Sequence, residues 1–265
     1  MNILVCVKQV PDDEDLRLDP ETKTLVRTQG KGKISEYDKY ALEIALRLKE
    51  EVGGSVTAIT MGPPTSEAAL RYCLSVGVDD AYLLSDRAMG GADAYATATV
   101  LSAAAKKLEE NGEMFDLILL GKQASDSDTS LVMPELAEAL NCPQVTFVTD
   151  YRYEDNKLYA VRETDAGTEE YLVPLPAVLS VGKTAFPFRY PTIKLKLAAN
   201  RRQIPAMTVQ DLVLSPELTG VPGSKTTVGA SYFPEHAKTG VRIEGVSGEE
   251  MGKKLVEILR TKQVI

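Results

Sequence analysis

The chain has 265 residues, 44% of them hydrophobic and 26% charged, as in a globular protein with one large core or two modest ones. Its net charge of −8 argues against a nucleic-acid partner, because phosphate binding depends on a basic surface. The first apolar run ends at Lys8, too early for a secretory signal, and no run approaches the roughly 20 apolar residues that cross a bilayer, so we expect a cytoplasmic protein without membrane insertion.

Short apolar runs alternate with helical patterns along the first 150 residues, and this alternation predicts a doubly wound parallel α/β sheet. The predicted strands are 3–7, 56–60, 81–84, 117–120 and 145–148. One helix is predicted just after Ser35, with Ser35 and Asp38 at the spacing of a capping box. Further helices are predicted at 67–76 and 93–110, and a fourth, interrupted by Pro134, has no clear start.

Beyond residue 150 the pattern changes. Runs 157–162 and 168–173 predict a hairpin, and run 177–181 predicts another strand of an extended sheet. Residues 183 to about 238 show no strong periodicity, which is too long a stretch for a loop inside a compact domain. A final amphipathic helix is predicted over 249–260, and its apolar side needs a partner surface. The sequence therefore divides into an α/β domain, 1–190, and a C-terminal arm, 191–265.

Residues with catalytic chemistry are few. Cys6, Cys73 and Cys142 are far apart and lack ligand spacing, so they predict buried free thiols and neither a disulfide framework nor a zinc site. The only histidine, His236, lies in the irregular stretch, which excludes a histidine-based triad or metal site in the main domain. We therefore predict that the chain has no catalytic residue and no metal. We expect a bound cofactor to supply the chemistry.

The polar loop that begins at Gly121 and ends at Thr129 joins an apolar strand to a helix. Unpaired N–H groups at a helix start attract a pyrophosphate, so this loop can hold a nucleotide, whereas a tight, capped turn is the alternative. Asp126 and Asp128 also allow a magnesium or acid–base site, but no lysine cradle or second carboxylate cluster accompanies them, which favours capping and ribose contacts. The fingerprint G-x-G-x-x-G is absent, which disfavours a conventional nicotinamide site after the first strand.

Several separated segments resemble the beta (small) subunit of electron-transfer flavoproteins: 5–11, 37–43, the loop from Gly121 with Asp126 and Asp128, 161–165 and 175–178. The resemblance covers nearly the whole chain. It implies a Rossmann-like fold of the adenine-nucleotide alpha-hydrolase type and a heterodimer with a larger alpha subunit. It also implies that 1–190 binds the nucleotide or FAD and that 191–265 wraps the alpha subunit as an extended partner-binding arm.

The same resemblance implies the ligand. The family's nucleotide site holds AMP in ordinary carriers and a second FAD in the electron-bifurcating branch, and residues 83–93 with Ala96 and Thr97 are similar to the bifurcating version. The two electrons that NADH delivers as hydride would then separate. One would go to ferredoxin or flavodoxin, and the other would go through the FAD of the alpha subunit to an acyl-CoA-type or similar flavin-dependent dehydrogenase. NADH oxidation would occur only in the complex. The alternatives are an AMP-binding beta subunit and a universal-stress-type nucleotide-binding module.

Site residues follow from the resemblance position by position. Those that enclose the adenosine and phosphates are Cys6, Ser35, Asp38, Met61, Gly121, Gln123, Ala124, Ser125, Asp126, Asp128, Thr129, Ser130 and Val132. Those near the flavin ring and nicotinamide are Ser85, Asp86, Arg87, Gly90, Gly91, Ala92, Asp93 and Thr97. Arg189, Tyr190 and Ile193 match the recognition loop, with Ile193 as the apolar anchor for the dehydrogenase. Two departures are Ser35-Glu36, where Asn-Pro is common, and Ser127, where bifurcating members often carry Gly.

Overall fold

The computed structural model describes residues 1–11, 32–110, 112, 114–229 and 240–265. Contacts within the chain form two compact units, Met1–Ala230 and Ser231–Ile265. The first unit continues past residue 190. The predicted boundary at 190/191 separates the nucleotide-binding domain from the partner-binding arm, and it stays a prediction. His236 lies outside the described residues.

A mostly parallel sheet of nine strands is the centre of the first unit. The strands in chain order are β1 (Asn2–Cys6), β2 (Gln9–Val10), β3 (Lys33–Ile34), β4 (Ser55–Met61), β5 (Asp80–Leu84), β6 (Leu117–Gly121), β7 (Gln144–Glu154), β8 (Lys157–Thr164), β9 (Gly167–Val173), β10 (Ala177–Val181) and β11 (Ala206–Met207). The sheet order is β11-β5-β4-β1-β6-β10-β7-β8-β9, in which β8 is antiparallel to both of its neighbours, β7 and β9. Strands β2 and β3 pair separately.

Helices cover both faces of this sheet, which confirms the predicted doubly wound α/β class. The helices are α1 (Glu36–Val52), α2 (Glu67–Val76), α3 (Ala94–Glu110), α4 (Val132–Leu140), α5 (Ile193–Arg201), α6 (Gly220–Gly223) and α7 (Gly248–Thr261). In β6, Leu117 and Leu119 pack with α1 and α2, whereas Ile118 and Leu120 pack with α3 and α4. A strand that is buried on both faces needs such a continuous apolar run.

The strand order reverses between β1 and β6. From β1 the chain proceeds to β4 and β5 on one side, and it then crosses to β6, β10 and β7 on the other side. The two connections leave the sheet in opposite directions, so a crevice opens at the carboxyl ends of β1 and β6. Ligands of open α/β sheets bind in such a crevice.

The prediction of an irregular stretch after residue 183 is wrong in part, because this stretch contains α5 and β11. Three apolar residues of α5 are exposed: Ile193, Leu195 and Leu197. The apolar residues of this helix therefore do not form a stripe that faces the core. The helix is instead fixed to α2, where Ala199 is buried and its carbonyl accepts a hydrogen bond from Arg71 Nη1 at 2.6 Å. Strand β11 has only two residues and pairs in parallel with the end of β5. The hairpin of β8 and β9 is confirmed.

The described part of the second unit contains α7, which confirms the predicted terminal helix. Its first turn is capped by Ser247, whose hydroxyl oxygen accepts a hydrogen bond from the N–H of Glu250 at 3.2 Å. Met251 and Leu255 on this helix are 38% and 46% exposed, so its apolar side has no cover within the unit. None of the helices in the described ranges is long and apolar enough to cross a membrane.

Candidate functional site

The carboxyl ends of β1 and β6 are joined by Asp38, in the first turn of α1. Its Oδ2 accepts a hydrogen bond from the backbone N–H of Lys8 at 2.7 Å, and its Oδ1 accepts one from the backbone N–H of Gly121 at 2.9 Å. The residue is only 6% exposed. The two strands pair with each other as far as Cys6 and Leu120. This one carboxyl group therefore supplies the acceptors for two part-buried N–H groups just past those paired residues.

The electrostatics of Asp38 reflect its burial. Burial raises the pKa of its carboxyl group to about 7, while the N–H donors of Lys8 and Gly121 and the charge of Lys8 act in the opposite direction. The predicted capping box is wrong, because Asp38 bonds to the strand ends and Ser35 caps no helix N–H with its side chain. The Ser35 hydroxyl instead donates to the carbonyl of Gln123 at 3.4 Å.

Glycine is required at position 121 by the closeness of α1. A Cβ added there would lie 2.4 Å from Asp38 Oδ1 and 2.7 Å from both the Asp38 nitrogen and the Tyr37 carbonyl carbon. Two of these atoms belong to the backbone of α1, so a side chain at position 121 would force the helix to move. The absence of a side chain therefore allows the first turn of α1 to approach the end of β6, which closes the floor of the crevice.

The loop after β6 is held against β1 by an ion pair. Lys8 Nζ lies 2.6 Å from Asp126 Oδ1, and the side chain of Asp126 is only 3% exposed. The Ala124 carbonyl accepts hydrogen bonds from the N–H groups of Ser127 and Asp128, at 3.1 and 2.8 Å. Asp128 and Ser130 have φ of 57° and 56°, a left-handed conformation that is uncommon without glycine. The loop is therefore a defined double turn.

The start of α4 follows the loop after β6. Its N-cap position, Leu131, provides no side-chain cap. The first intrahelical bond runs from the Glu135 N–H to the Leu131 carbonyl at 3.2 Å, so the N–H groups of Val132 and Met133 precede it and are available to an anion. The Ser130 hydroxyl donates to Gln123 Oε1 at 3.2 Å, which orders the segment that leads into the helix.

The other residues predicted around the adenosine lie at the same edge of the sheet. Cys6 ends β1 and is buried, and burial followed by the charge of Asp38 raises the pKa of its thiol. Met61 ends β4 and is half-buried. Within the loop Ala124 is half-buried, whereas Ser125 and Thr129 are exposed. Their contacts with a nucleotide stay predictions.

The loop after β5 is strongly bonded within the chain. Asp86 caps the short turn Arg87–Met89, because its Oδ1 accepts from the N–H of Ala88 at 2.9 Å. Asp93 caps α3, because its Oδ1 accepts from the N–H of Ala96 at 2.9 Å. The second oxygen of each carboxylate is also used, by donors from residues 209–226. Ser85, Ala92 and Thr97 are half-buried beside them, and Arg87, Gly90 and Gly91 are exposed.

The loop after β5 and the start of α4 are neighbours. Burial, followed by the negative charge of Asp93, raises the pKa of Glu135, which lies in the first turn of α4. Glu135 Oε2 is buried, and no hydrogen-bond partner for it lies among the described residues. The two stretches predicted for the two ends of a dinucleotide thus border one region of the sheet edge.

The predicted recognition loop has a fixed base and an exposed tip. Arg189 forms ion pairs with Glu43, at 3.0 Å, and with Glu50, at 2.6 Å, both on α1. Tyr190 and Ile193 are 90% and 82% exposed. Arg189 therefore serves as an intrachain anchor, and the surface available to a partner is formed by Tyr190 and Ile193. At this exposure Ile193 is not a residue of the core.

Two parts of this edge were not predicted as site residues. Lys8 binds Asp126 across 118 positions of sequence, and no local pattern marks such a pair. Residues 209–226 contact the loop after β5 from a region without periodicity. One feature of the sequence could have indicated Lys8 as a site residue: it is the first charged residue after β1 and so lies at the carboxyl edge of the sheet. Among the described residues, no group of three or more His, Cys, Asp or Glu side chains could hold a metal ion.

Residues 22–212 match the electron transfer flavoprotein domain family. The chain is 43% identical over 266 residues to the electron transfer flavoprotein subunit beta of Thermoanaerobacterium thermosaccharolyticum, with 100% of both chains covered. It is 40% identical to subunit CarD of the caffeyl-CoA reductase-Etf complex of Acetobacterium woodii, again over 100% of both chains. It is 35% identical to the acryloyl-CoA reductase electron transfer subunit gamma of Anaerotignum propionicum, over 100% of both.

The carboxylate that joins β1 and β6 can be tested by its removal. Asp38→Ala leaves two part-buried N–H groups without their acceptor and is expected to lower the free energy of unfolding by roughly 3 kcal/mol. The matched control is Asp116→Ala at the opposite ends of the same strands, where one exposed carboxylate accepts from the Asn2 N–H at 2.7 Å. That loss is expected to be about 1 kcal/mol. Denaturant unfolding measures both; equal losses would contradict the role of Asp38.

The raised pKa of Asp38 predicts a pH effect. The folded pKa of about 7 lies above the ordinary value of 3.8, so the folded state retains a proton that the unfolded chain releases. This contribution to stability is complete below about pH 4 and is lost as the pH rises to about 7. Relative to Asp38→Asn, the wild-type protein should therefore lose stability across this interval and no further above it. A difference that stays constant with pH in denaturant titrations would refute the shift.

Proposed function

This chain belongs to the electron transfer flavoprotein family as a beta-type subunit, and from that premise we propose that it binds FAD in the β1/β6 crevice and takes part in electron bifurcation. Its partners in this proposal are a large alpha subunit, a flavin-dependent dehydrogenase, and ferredoxin or flavodoxin, in the cytoplasm. When bound, the FAD would accept hydride from NADH and release the electrons singly, one to ferredoxin or flavodoxin and one through the alpha-subunit FAD to the dehydrogenase.

The observation that carries this proposal is the uncapped start of α4 beside the crevice. Leu131 offers no side-chain oxygen to the first N–H groups of the helix, whereas α3 is capped by Asp93. The helix dipole and the free N–H groups favour a pyrophosphate at α4. The turn of residues 124–128 lies directly before it. A dinucleotide diphosphate fits this donor set.

The side chains around the crevice bind and orient. The Lys8–Asp126 pair holds the loop after β6 against β1, and the Ser35 and Ser130 hydroxyls hold Gln123. The paired carboxylate of Asp126 presents less net negative charge to a phosphate than a free one. These residues shape the site but none is a base or nucleophile. The chemistry therefore belongs to the cofactor.

The preference for FAD over AMP is supported by the loop after β5. Gly90 and Gly91 are exposed and carry no side chains, so the solvent side of the backbone there can approach a planar ring. The relatives named for caffeyl-CoA reductase and acryloyl-CoA reductase complexes support a dehydrogenase-type partner. A universal-stress-type module would have no large-subunit partner, and membership of a subunit family favours the electron carrier.

The C-terminal arm, 191–265, is proposed to bind the alpha subunit. Helix α7 exposes Met251, Leu255 and Val256, at 38%, 46% and 41%. A stable apolar helix face in water needs a covering surface. Pairs such as Lys253–Glu249, four residues apart, maintain the helix on its polar side. The large subunit is the partner that this proposal assigns to that face.

Flavin counting tests the proposed function. The purified complex of this chain with its alpha subunit is expected to contain two FAD per heterodimer and to reduce them with NADH. The extracted nucleotides can be separated and quantified chromatographically. One FAD and one AMP per heterodimer would refute bifurcation and leave an ordinary electron carrier.

The exposed tip of the recognition loop yields a second test. Ile193→Ala is expected to slow electron delivery to an acyl-CoA-type dehydrogenase about tenfold, because a small interface depends on few apolar anchors. NADH-driven flavin reduction should persist, since Ile193 is not part of the crevice. Leu172→Ala, at another exposed leucine on β9 with 55% exposure, is the control and should leave both rates unchanged. Unchanged delivery in Ile193→Ala would exclude the anchor role.

A further inference from the structure

Residues 205–226 lie directly against the loop after β5. The carbonyls of Pro205 and Met207 accept hydrogen bonds from the N–H groups of Leu83 and Ser85, at 2.9 and 3.0 Å. The next contact is made by Val209, whose N–H donates to Asp86 Oδ2 at 3.3 Å. The later segment therefore runs along the end of β5 and reaches the first residues of the loop that follows it.

Asp93 holds the far end of this contact. Its Oδ2 accepts three hydrogen bonds: from the N–H of Lys225 at 2.8 Å, the N–H of Thr226 at 2.8 Å and the Thr226 hydroxyl at 2.9 Å. Its own N–H donates to the Ser224 hydroxyl oxygen at 2.9 Å. With Oδ1 bonded to Ala96, the carboxylate accepts four hydrogen bonds and little acceptor capacity remains for a ligand.

The charge state of Asp93 agrees with this geometry. Burial raises the pKa of its carboxyl group, but the hydrogen bonds from Ala96, Thr226 and Lys225 outweigh that effect and lower the pKa to about 2. Asp93 is therefore ionised at neutral pH. Bonds to an ionised acceptor are stronger than bonds between neutral groups.

Backbone packing reinforces the contact between the two segments. Gly220, with φ of 54°, approaches Ala88 so closely that an added Cβ would lie 2.1 Å from the Ala88 carbonyl oxygen. An added Cβ on Gly91 would lie 2.6 Å from Val221 Cγ2. Thr219 is fully buried, and its hydroxyl donates to the Ala88 carbonyl at 3.1 Å. Neither segment can shift without the other.

We infer that residues 219–226 form the outer wall of the site where the loop after β5 meets the redox-active end of the dinucleotide, and that Asp93 is the positioning residue of this wall. Asp93 acts through Lys225 and Thr226 rather than by touching the ligand. The inference rests on the proposed function, since it assigns a ligand end to this loop. It adds a segment that neither the sequence motifs nor the family match at 22–212 includes.

The test uses the complete heterodimer with two variants and one control. Asp93→Asn preserves size but replaces one acceptor oxygen with a donor, and Thr226→Val removes only the hydroxyl. Asp211→Asn is the matched control, because the carboxylate of Asp211 accepts from the Thr208 N–H and hydroxyl, at 2.8 and 2.7 Å, within the same segment. The measurements are the KM for NADH, kcat, the visible flavin spectrum and the melting temperature.

We expect Asp93→Asn to raise the KM for NADH about tenfold and Thr226→Val about threefold, with kcat within about twofold. Asp93→Asn should also shift the visible flavin band, and Asp211→Asn should match the wild type. A lower melting temperature with unchanged KM and spectrum in both variants would overturn the inference and leave the proposed function intact. Thr226→Val decides the question if Asp93→Asn does not fold. A wild-type complex that oxidises no NADH would instead refute the proposed function.

Discussion

The bridge from Asp38 to the ends of β1 and β6 is the constraint on which the remaining site depends. One carboxyl group in the first turn of α1 serves the N–H groups of Lys8 and Gly121. The direct pairing of β1 with β6 ends at Cys6 and Leu120. Beyond that pair the two chain segments leave the sheet in opposite directions, and the carboxyl group of Asp38 is what joins them there. Burial of the carboxyl group is unfavourable for its charge, and the two donors offset part of that cost.

Four acidic residues at this edge share one property, which makes the proposed anion site compatible with an acidic chain. Asp38, Asp86, Asp93 and Asp126 all receive donors from within the chain. Each of these carboxyl groups is thereby bonded within the protein, and the N-cap position of α4 provides no side-chain cap. Recognition by backbone groups also agrees with the scarcity of catalytic side chains. A site of this kind binds and orients a cofactor.

Most of the central sheet could be predicted because its longer strands carry a local signature. The apolar run ending at Leu120 is buried on both faces, and Gly77 ends α2 with φ of 120°, as its position after the helical pattern indicates. The interactions that shape the site could not be predicted in the same way. Ser35 and Asp38 have capping-box spacing, yet Asp38 bonds to residues 30 and 83 positions away. Local spacing does not reveal a distant donor.

The same reason explains why neither α5 nor the contacts of residues 205–226 with the loop after β5 were predicted. Helix α5 exposes its leucines, so hydrophobic periodicity does not mark it, and β11 is too short to form a pattern. In the sequence, the glycines at 91 and 220 indicate turns. In the structure, glycine is needed at both positions because two segments far apart in the chain approach each other closely there. The family resemblance identified the loops, whereas their mutual contacts required the structure.

A structure of the heterodimer with its native nucleotide is the most direct test of the central claim. The predicted result is a dinucleotide in the crevice between β1 and β6, with phosphate oxygens at the N–H groups of Val132 and Met133. Asp38 should still accept the N–H groups of Lys8 and Gly121. A nucleotide bound elsewhere on the chain, or an Asp38 carboxylate turned toward the ligand and away from the strand ends, would contradict this description of the site.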